Sequence, residues 1–320
     1  MTGRGVLRMA VLALLWGSGF LWIKLALTGL SPVQITVIRC ALGAAVLLVL
    51  ARLGRQALPR RLWGHLAVAA FFCNALPFLL FAVGEQTVDS GVAGVLNATT
   101  PLFSLIIGLL IGTDRGVTPM RVAGLVLGFA GVTLIFAPWQ REGLAGIGAL
   151  ALLGAAASYA VAFAYMGRKL VGKGGPIAVS AAQLTAATGL SAALVPFDRT
   201  STTLNVTAIV AVVVLGVFGT GVTFILNYRI IEDEGPTSAA TVGYLLPVVS
   251  VALGAIVLDE PLTPRVVAGM AVVLAGVALT RLGATRSALA KRPPERRRRY
   301  QLSVMSTERD TVRRRSADDR

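Results

Sequence analysis

Residues 91–112 read GVAGVLNATTPLFSLIIGLLIG, a run of 22 residues without a charged side chain. A helix of this length extends about 33 Å at about 1.5 Å per residue, which matches the roughly 30 Å hydrocarbon core of a bilayer. Residues 236–258, PTSAATVGYLLPVVSVALGAIVL, are uncharged as well. Both runs therefore predict helices that cross a membrane.

The two runs also belong to an internal repeat. At an offset of 146 residues the matched pairs are Pro101 and Pro247, Ser104 and Ser250, Gly108 and Gly254, Phe78 and Phe224, and Leu80 and Leu226. An offset of 144 pairs Pro32 with Pro176, Lys24 with Arg168, and Arg39 with Gln183. An offset of 145 pairs Asp114, Thr118, Pro119, Gly124 and Gly131 with Asp259, Thr263, Pro264, Gly269 and Gly276.

Ten stretches are long and apolar enough to span a bilayer. They lie near 7–29, 33–51, 63–83, 91–112, 119–137, 146–167, 176–196, 206–228, 236–258 and 264–282. Because each half contains an odd number of spans, the halves must enter the membrane from opposite sides. The predicted fold is an all-α integral membrane protein of ten transmembrane helices, built as two inverted five-helix repeats over 1–139 and 140–282. A basic tail over 283–320 is predicted to be disordered.

The composition excludes several other classes of protein. Hydrophobic residues make up 55% of the chain beside 35 glycines, and charged residues only 14%, whereas soluble domains are about 25% charged. A single histidine (His65) and two cysteines (Cys40 and Cys73) are too few for an ordinary zinc site or a disulfide framework. The sequence lacks the GxxxxGK[ST] motif of nucleotide-driven motors. We therefore predict no metal and no cofactor.

The distribution of basic residues predicts the orientation. With a cytoplasmic N-terminus, the inner segments before the tail hold 12 Lys and Arg residues and the outer loops hold 3. Positive residues accumulate on the cytoplasmic side of membrane proteins. The first apolar run lacks a small-residue cleavage pattern and is read as a retained span. The prediction is a multi-pass protein of the cell (plasma) membrane with both termini cytoplasmic.

An inverted repeat favours an alternating-access carrier, because such carriers bind their solute near the midplane where the halves meet. Two alternatives stay open, a membrane-embedded enzyme acting on a lipid or isoprenoid and a structural or sensory membrane protein. The enzyme would need paired carboxylates, a partnered histidine or a metal cluster facing one cavity. The structural protein would not explain the inverted halves. The sequence thus predicts a transporter and no enzyme.

Short motifs in a fixed order run along residues 9–282. They are Leu15-Trp16-Gly17-Ser18-Gly19-Phe20 with Ile23-Lys24-Leu25, Pro32 with Ile38-Arg39, Ala98-Thr99-Thr100-Pro101, Tyr244-Leu245-Leu246-Pro247-Val248, and Leu258-Asp259-Glu260-Pro261-Leu262-Thr263 followed by Gly269 and Gly276. Together they resemble the drug/metabolite transporter superfamily, and within it the ten-helix permeases with two EamA-type repeats. The resemblance implies export or exchange of small metabolites, such as amino acids and their derivatives, or of toxic amphiphiles.

The resemblance is incomplete in two places. The first repeat reads Thr113-Asp114-Arg115 where the second repeat has an acidic pair with Glu260. The arginine-rich tail is not part of the family pattern, so the resemblance implies nothing about its role.

Two ionisable side chains lie inside predicted spans, Lys24 in the first span and Arg39 in the second. Charged groups within a bilayer are costly and are candidates for function by default. One hypothesis is a cationic pair that binds a carboxylate or phosphate group of the solute. The alternative is structural, with Lys24 extending its ammonium to the interface and Arg39 pairing with Glu85 or with backbone carbonyls.

The acidic residues before the tail fall at the ends of predicted helices or in loops. They are Glu85, Asp89, Asp114, Glu142, Asp198, Glu232, Asp233, Glu234, Asp259 and Glu260. Proton-coupled carriers often place a carboxylate within the membrane. The sequence therefore predicts a facilitator or exchanger rather than a tightly proton-coupled pump.

The remaining site candidates are polar residues, aromatic residues and prolines within spans. Pro101 and Pro247 free backbone carbonyls at corresponding depths, which points to a site between the halves. Interhelical hydrogen bonding is the alternative role for the Asn, Ser and Thr residues. The predicted substrate-binding set is Trp16, Lys24, Arg39, Asn74, Asn97, Thr100, Pro101, Ser158, Tyr159, Asn227, Tyr244 and Pro247.

Membrane lipids are the predicted partner besides the solute. Arginine clusters at 296–299 and 313–315 would be attracted to an anionic inner leaflet. Nucleic acid is not expected, because Tyr300 is the one stacking aromatic near these arginines.

Glycines at small-xxx-small spacing favour close helix packing. The pairs are Gly108 with Gly112 and Gly124 with Gly128. The spacing leaves open whether this packing lies within the protomer or across a homodimer.

Overall fold

The computed structural model describes residues 3–110, 118–136, 146–170, 172–200, 202–234, 242–243 and 245–290. The α-helices are α1 (Gly3–Gly17), α2 (Gly19–Ala26), α3 (Pro32–Leu53), α4 (Trp63–Ala70), α5 (Leu76–Gly84), α6 (Ser90–Asn97), α7 (Thr100–Leu110), α8 (Pro119–Phe136), α9 (Ile147–Lys169), α10 (Pro176–Ala192), α11 (Val206–Gly216), α12 (Thr223–Glu234), α13 (Leu246–Val257) and α14 (Pro264–Ala290). Two π-helical turns, Phe71–Ala75 and Val217–Val222, join α4 to α5 and α11 to α12.

The protein is an all-helical, multi-pass membrane protein. Seven helical segments are long and apolar enough to cross a bilayer, namely Leu7–Ala26, Pro32–Leu53, Trp63–Gly84, Ser90–Leu110, Ile147–Lys169, Pro176–Phe197 and Val206–Asn227. Shorter apolar helices, Pro119–Gly131, Leu246–Val257 and Pro264–Gly276, lie where the other three spans were predicted. Residues 236–241 and 244, within the ninth predicted span, lie outside the described residues.

Local sequence explains where the helices begin. Ser31 caps α3, since its hydroxyl accepts from the Gln34 N–H and the Gln34 side chain accepts from the Ser31 N–H, each at 3.1 Å. Such a reciprocal box satisfies two backbone donors that the first helical turn leaves free. The fourth span breaks between α6 and α7 just before Pro101, because proline has no N–H to continue the helical ladder.

The helices α8 and α14 touch almost backbone to backbone. A Cβ at Gly131 would lie 2.6 Å from the Val273 amide nitrogen and 2.8 Å from the Gly269 carbonyl oxygen. A Cβ at Gly276 would lie 2.7 Å from the carbonyl oxygen of Gly124. The Gly124–Gly128 spacing therefore packs helices within the protomer. Gly112 lies outside the described residues.

The last helix is longer than predicted. It runs from Pro264 to Ala290, whereas the sequence reading ended the span at residue 282 and began the disordered tail there. That boundary was wrong because alanine, leucine and arginine are good helix formers, and the first proline after the span is Pro293. The arginine clusters of the tail lie outside the described residues.

The largest buried cluster joins α2, α5, α6, α9 and α11. Its fully or almost fully covered members include Phe20, Ile23, Phe81, Leu96, Leu152 and Leu215. In a bilayer such contacts stabilise the fold by close packing more than by removal from water. This cluster holds the first, third, fourth, sixth and eighth spans together around the centre of the bundle.

Side-chain hydrogen bonds also join the two halves at both ends of the bundle. We call the end that carries Ser31, Glu85 and Asp198 the outer end, following the predicted orientation, and the opposite end the inner end. At the outer end the Gln34 amide donates to Thr202 Oγ1 at 2.8 Å. At the inner end the Ala178 N–H donates to Gln56 Oε1 at 3.2 Å.

Candidate functional site

Arg39 lies on α3, seven residues after Pro32 and so about 10 Å along the helix. Its Nε donates to Thr220 Oγ1 at 2.9 Å, and its guanidinium carbon lies 3.7 Å from the centroid of the Phe78 ring. The side chain is only half-buried. Among the described residues its terminal nitrogens have no hydrogen-bond partner. The guanidinium is therefore fixed in place while most of its donors stay available.

Gln183 occupies the equivalent position in the second half, at the offset of 144. Its Nε2 donates to Asn74 Oδ1 at 2.6 Å, and the two side chains are 2% and 1% exposed. Asn74 is in turn equivalent to Thr220 at the offset of 146. The two halves thus place a hydrogen-bonded pair at matching positions. The first pair contains the cationic, half-buried Arg39, and the second consists of two neutral, buried side chains.

Both pairs use a residue from a π-helical turn. Asn74 lies in Phe71–Ala75 and Thr220 in Val217–Val222, and the two turns begin 146 residues apart. Such turns insert one residue into an α-helix and often occur at functional sites. Ser158 of α9 donates to the Phe72 carbonyl at 2.7 Å, which supplies a partner for a carbonyl of the first turn.

Sequence reasoning missed the π-turns and the role of Thr220. A signal was present in Gly219-Thr220-Gly221, where small and polar residues interrupt an otherwise apolar span. The sequence indicated Phe78 only as one residue of a matched pair in the internal repeat. The structure places its ring against the Arg39 guanidinium.

Aromatic side chains form a wall beside Arg39. The Tyr159 ring stacks on Phe163 at 5.9 Å and an interplanar angle of 5°, and it lies 5.9 Å from the Phe81 ring. Tyr159 and Arg39 lie close enough for their charges to interact. Within the described segments the Tyr159 hydroxyl has no hydrogen-bond partner. A cation, a phenol and apolar rings therefore meet in one region.

Lys24 and Arg39 hydrogen-bond different partners. The Lys24 Nζ donates to the backbone carbonyls of Glu85 at 2.7 Å and Val88 at 2.9 Å. The ammonium therefore connects α2 to the segment between α5 and α6 rather than extending to the interface. Arg39 hydrogen-bonds Thr220, a partner that the structural alternative did not name. It also interacts electrostatically with Glu85, which that alternative did name.

The predicted residues around Pro101 lie at the break between α6 and α7. Thr100 Oγ1 donates to the Asn97 carbonyl at 2.7 Å, and Asn97 Oδ1 is buried without a partner among the residues described. In the second half Pro247 lies in the first turn of α13 and is buried. A break between two helices thus lies next to Pro101, and a helix begins next to Pro247.

Trp16 and Asn227 lie on helices other than the one that carries Arg39. Trp16 packs against a cluster that contains Leu12 and Ile230. Asn227 lies on α12 and makes no hydrogen bond within the described part of the chain. Tyr244 lies outside the described residues.

Acidic side chains organise the outer end. Glu260 accepts from the N–H groups of Ser90 at 2.7 Å and Gly91 at 2.9 Å, and thereby caps α6 from the other half of the chain. Asp198 accepts a hydrogen bond from the Ser31 hydroxyl, which lowers the pKa of the Asp198 carboxyl. The sequence placed Glu260 in a family motif without indicating this capping role.

Comparisons with known proteins place these features in context. The sequence profile of the EamA-like transporter family matches residues 3–137 and 146–282. An uncharacterized transporter of Archaeoglobus fulgidus is 29% identical over 269 residues, which cover 84% of this chain and 95% of that protein. The uncharacterized inner membrane transporter YedA of Escherichia coli is 26% identical over 275 residues, 85% of this chain and 89% of its own length.

Two further likenesses agree with this result. The uncharacterized transporter YvbV of Bacillus subtilis is 27% identical over 281 residues, which cover 86% of this chain and 91% of that protein. A crystal structure of a protein with 22% identity superposes with a TM-score of 0.62, covering 89% of this chain and 99% of that chain. At this identity the superposition shows a shared fold alone.

Proposed function

The chain belongs to the EamA-like transporter family, and on that premise we propose that it is a secondary transporter for a small metabolite. The solute is an amino-acid-like or amphiphilic compound, exported or exchanged across the cell membrane by alternating access. The observation that carries the proposal is the Arg39 guanidinium, which is held by Thr220 and Phe78 yet keeps its terminal donors available beside Tyr159.

Arg39 and Tyr159 would contact the solute directly. A guanidinium binds a carboxylate in a bidentate geometry that an ammonium cannot reproduce. The stacked rings of Tyr159 and Phe163 supply an apolar surface for the rest of the solute. Asn97, with its unpartnered buried oxygen, is the best candidate to bind a solute ammonium or hydroxyl.

The other predicted residues then divide into two groups. Lys24, Asn74 and Ser158 hold helices and π-turns in place through bonds already made. Thr100, Pro101 and Pro247 shape the helix breaks that border the central region. We keep Trp16, Asn227 and Tyr244 as candidates for the inner part of the pathway.

Contacts between spans support the ten-helix arrangement with two inverted repeats. The second span packs on the seventh (α3 on α10), the fourth on the ninth (α6 on α13) and the fifth on the tenth (α8 on α14). The first packs on the eighth (α2 on α11), and the third on the sixth (α5 on α9). Exchanging the halves turns this set of contacts into itself, as a two-fold axis in the membrane plane requires.

The orientation with both termini cytoplasmic is supported by the 12 to 3 distribution of basic residues. It follows that α5, α9 and Glu260 meet at the outer side. Attaching a reporter to the loop that carries Arg199 and to the C-terminus tests this assignment. A shared location of the two reporters would contradict it.

Solute counterflow in proteoliposomes tests the proposed function. The purified protein is reconstituted with single amino acids, carboxylate-free amines and amphiphilic cations, and exchange of each labelled compound is measured. We expect exchange of a carboxylate-bearing compound that Arg39→Gln weakens and Arg199→Gln, a change at an exposed loop cation, leaves intact. Exchange of carboxylate-free compounds alone, or equal effects of both variants, would contradict the Arg39 site.

A further inference from the structure

Glu85 is a buried acidic residue at the outer end of the bundle. It directly follows Gly84, the last residue of α5, and its side chain is 0% exposed. Both carboxyl oxygens lack a hydrogen-bond partner in the part of the chain that the structure describes. The carboxyl is thus buried without a hydrogen bond that would stabilise a negative charge.

Lys24 lies near this carboxyl but is engaged elsewhere. Its Nζ donates to two backbone carbonyls, those of Glu85 and Val88. The ammonium interacts with the Glu85 carboxyl through charge, without a hydrogen bond to it. A small movement of the lysine side chain could exchange a carbonyl for the carboxylate.

Two further charged groups face Glu85 from other elements. Arg39 of α3 and Glu260, in the segment after α13, both interact with it electrostatically. Arg39 is held by Thr220, and Glu260 accepts from the backbone at the start of α6. Each charge is therefore held by its own partners, and one of the two repels a carboxylate at position 85.

The residues packed against Gly84, next to Glu85 in the chain, are apolar or small. Leu152 and Gly148 of α9 pack directly against Gly84, which closes the outer end beside Glu85. Burial raises the pKa of the Glu85 carboxyl well above its ordinary value, Lys24 and Arg39 lower it, and Glu260 raises it. An ionised carboxylate without a partner is strongly disfavoured in such surroundings.

From this arrangement, and resting on the transport function proposed above, we propose that Glu85 is the proton-binding group that couples solute movement to proton movement. When the outer end is open, the carboxylate takes a proton from outer water and forms the O–H bond. When the outer end closes, as in this structure, the carboxyl is neutral. When the inner end opens, the O–H bond breaks and the proton passes to water in the central region, while Lys24 and Arg39 stabilise the carboxylate.

This inference replaces the sequence-based expectation of a facilitator or exchanger. That expectation counted Glu85 among the helix-end carboxylates. Glu85 does lie at the end of α5. However, α9 packs against this helix end, and Lys24 holds the loop that follows it, so the helix end is shielded from water.

The coupling is tested with proteoliposomes that contain a pH-sensitive dye, in sodium-free medium. Glu85→Gln keeps the size of the side chain and mimics its neutral form, so counterflow of solute is expected to persist while solute-driven proton movement is lost. Glu85→Asp keeps a carboxyl and is expected to retain proton movement. Asp89→Asn, a change at a nearby exposed carboxylate, is the matched control and should behave as the wild type.

Proton movement in Glu85→Gln at the wild-type stoichiometry would overturn the proposal and leave the transport function standing. The same conclusion would follow from wild-type transport that requires sodium or ignores the pH gradient. If no solute is moved at all, the transport function fails, and proton binding is read separately by infrared spectroscopy. There the wild type should show a buried protonated carboxyl band that Glu85→Gln lacks, and identical spectra would overturn the assignment.

Discussion

The Arg39–Thr220 pair and the Gln183–Asn74 pair occupy matching positions in the two halves but differ in charge and in exposure. Arg39 of the first pair is half-buried and keeps guanidinium donors available, whereas Thr220 and both members of the second pair are almost completely buried. In both, a side chain from the second span of its half reaches a π-turn in the other half. The shared geometry joins the halves, and the change of residue type leaves guanidinium donors available in the first copy.

Substitutions in the two pairs should therefore have different effects, on stability in one pair and on solute binding in the other. A covered neutral pair contributes mainly to stability, because breaking it leaves a buried group unsatisfied. A half-buried guanidinium can contribute to solute binding, because an anionic group of the solute can replace water at its unbonded N–H donors. The first three of the four substitutions below test whether one pair stabilises the fold and the other binds solute. The fourth tests a hydrogen bond at the outer end.

Replacing Arg39 with Gln makes the first pair resemble the second. A charge-assisted hydrogen bond contributes about 1.5–3 kcal/mol, so the KM for a carboxylate-bearing solute should rise by roughly 10- to 100-fold. The thermal midpoint should change little, since Gln can still bond Thr220. Initial uptake rates in proteoliposomes measure the effect, with Arg39→Lys as the variant that keeps charge but loses the planar fork. A wild-type KM for Arg39→Gln would remove the functional half of the comparison.

Replacing Gln183 with Leu breaks the covered pair and leaves the Asn74 amide unpartnered. The expected cost is about 1–3 kcal/mol of unfolding free energy, with the KM of the remaining folded protein unchanged. The double variant Gln183→Leu with Asn74→Leu should recover part of the loss. Thermal unfolding of the three variants in detergent gives the coupling energy. Additive losses in the double variant would show that the two side chains do not act as a pair.

Ser158→Ala removes the hydroxyl that satisfies the Phe72 carbonyl in the first π-turn. The expected loss is about 1 kcal/mol of stability, a typical net value for one hydrogen bond. Thr188→Ala is a suitable control, because the Thr188 hydroxyl bonds only the Leu184 carbonyl within its own helix. Equal shifts in the thermal midpoint for the two variants would argue against a specific role for Ser158.

The hydrogen bond between Ser31 and Asp198 at the outer end should contribute to stability in a pH-dependent way. The Ser31 hydroxyl lowers the pKa of Asp198, so the ionised carboxylate stabilises the fold above the ordinary Asp pKa of about 3.9, and this contribution is lost as pH falls through the lower folded value. Asp198→Asn should therefore lower the thermal midpoint slightly at pH about 7, with the difference shrinking at pH about 3. A difference independent of pH would show that charge is not involved.

Much of the fold was readable from the sequence because a membrane imposes simple rules on length and polarity. Seven spans and three shorter apolar helices fall where ten spans were predicted. The offset that pairs Arg39 with Gln183 also identified two equivalent positions correctly. The end of α14 was missed because helix propensity continues smoothly past the apolar run.

The partners within the site could not be predicted. Thr220 reaches Arg39 from a distant span, and the register of its helix depends on a π-turn that packing stabilises. The burial of Glu85 has the same origin, since Lys24 and α9 cover it from other parts of the chain. Sequence offsets therefore identify equivalent positions, while contacts across the bundle determine which of the two side chains stays accessible.

The glycine contact between α8 and α14 has a mechanical consequence. Where Gly131 meets Gly269 and Gly276 meets Gly124, the backbones lie too close for either helix to turn or slide without collision. We therefore expect α8 and α14 to move together as one rigid unit. The movement required by the proposed alternating access would then take place in the helices outside this pair, and fluorescent labels placed along the α8–α14 contact should keep a constant separation throughout the transport cycle.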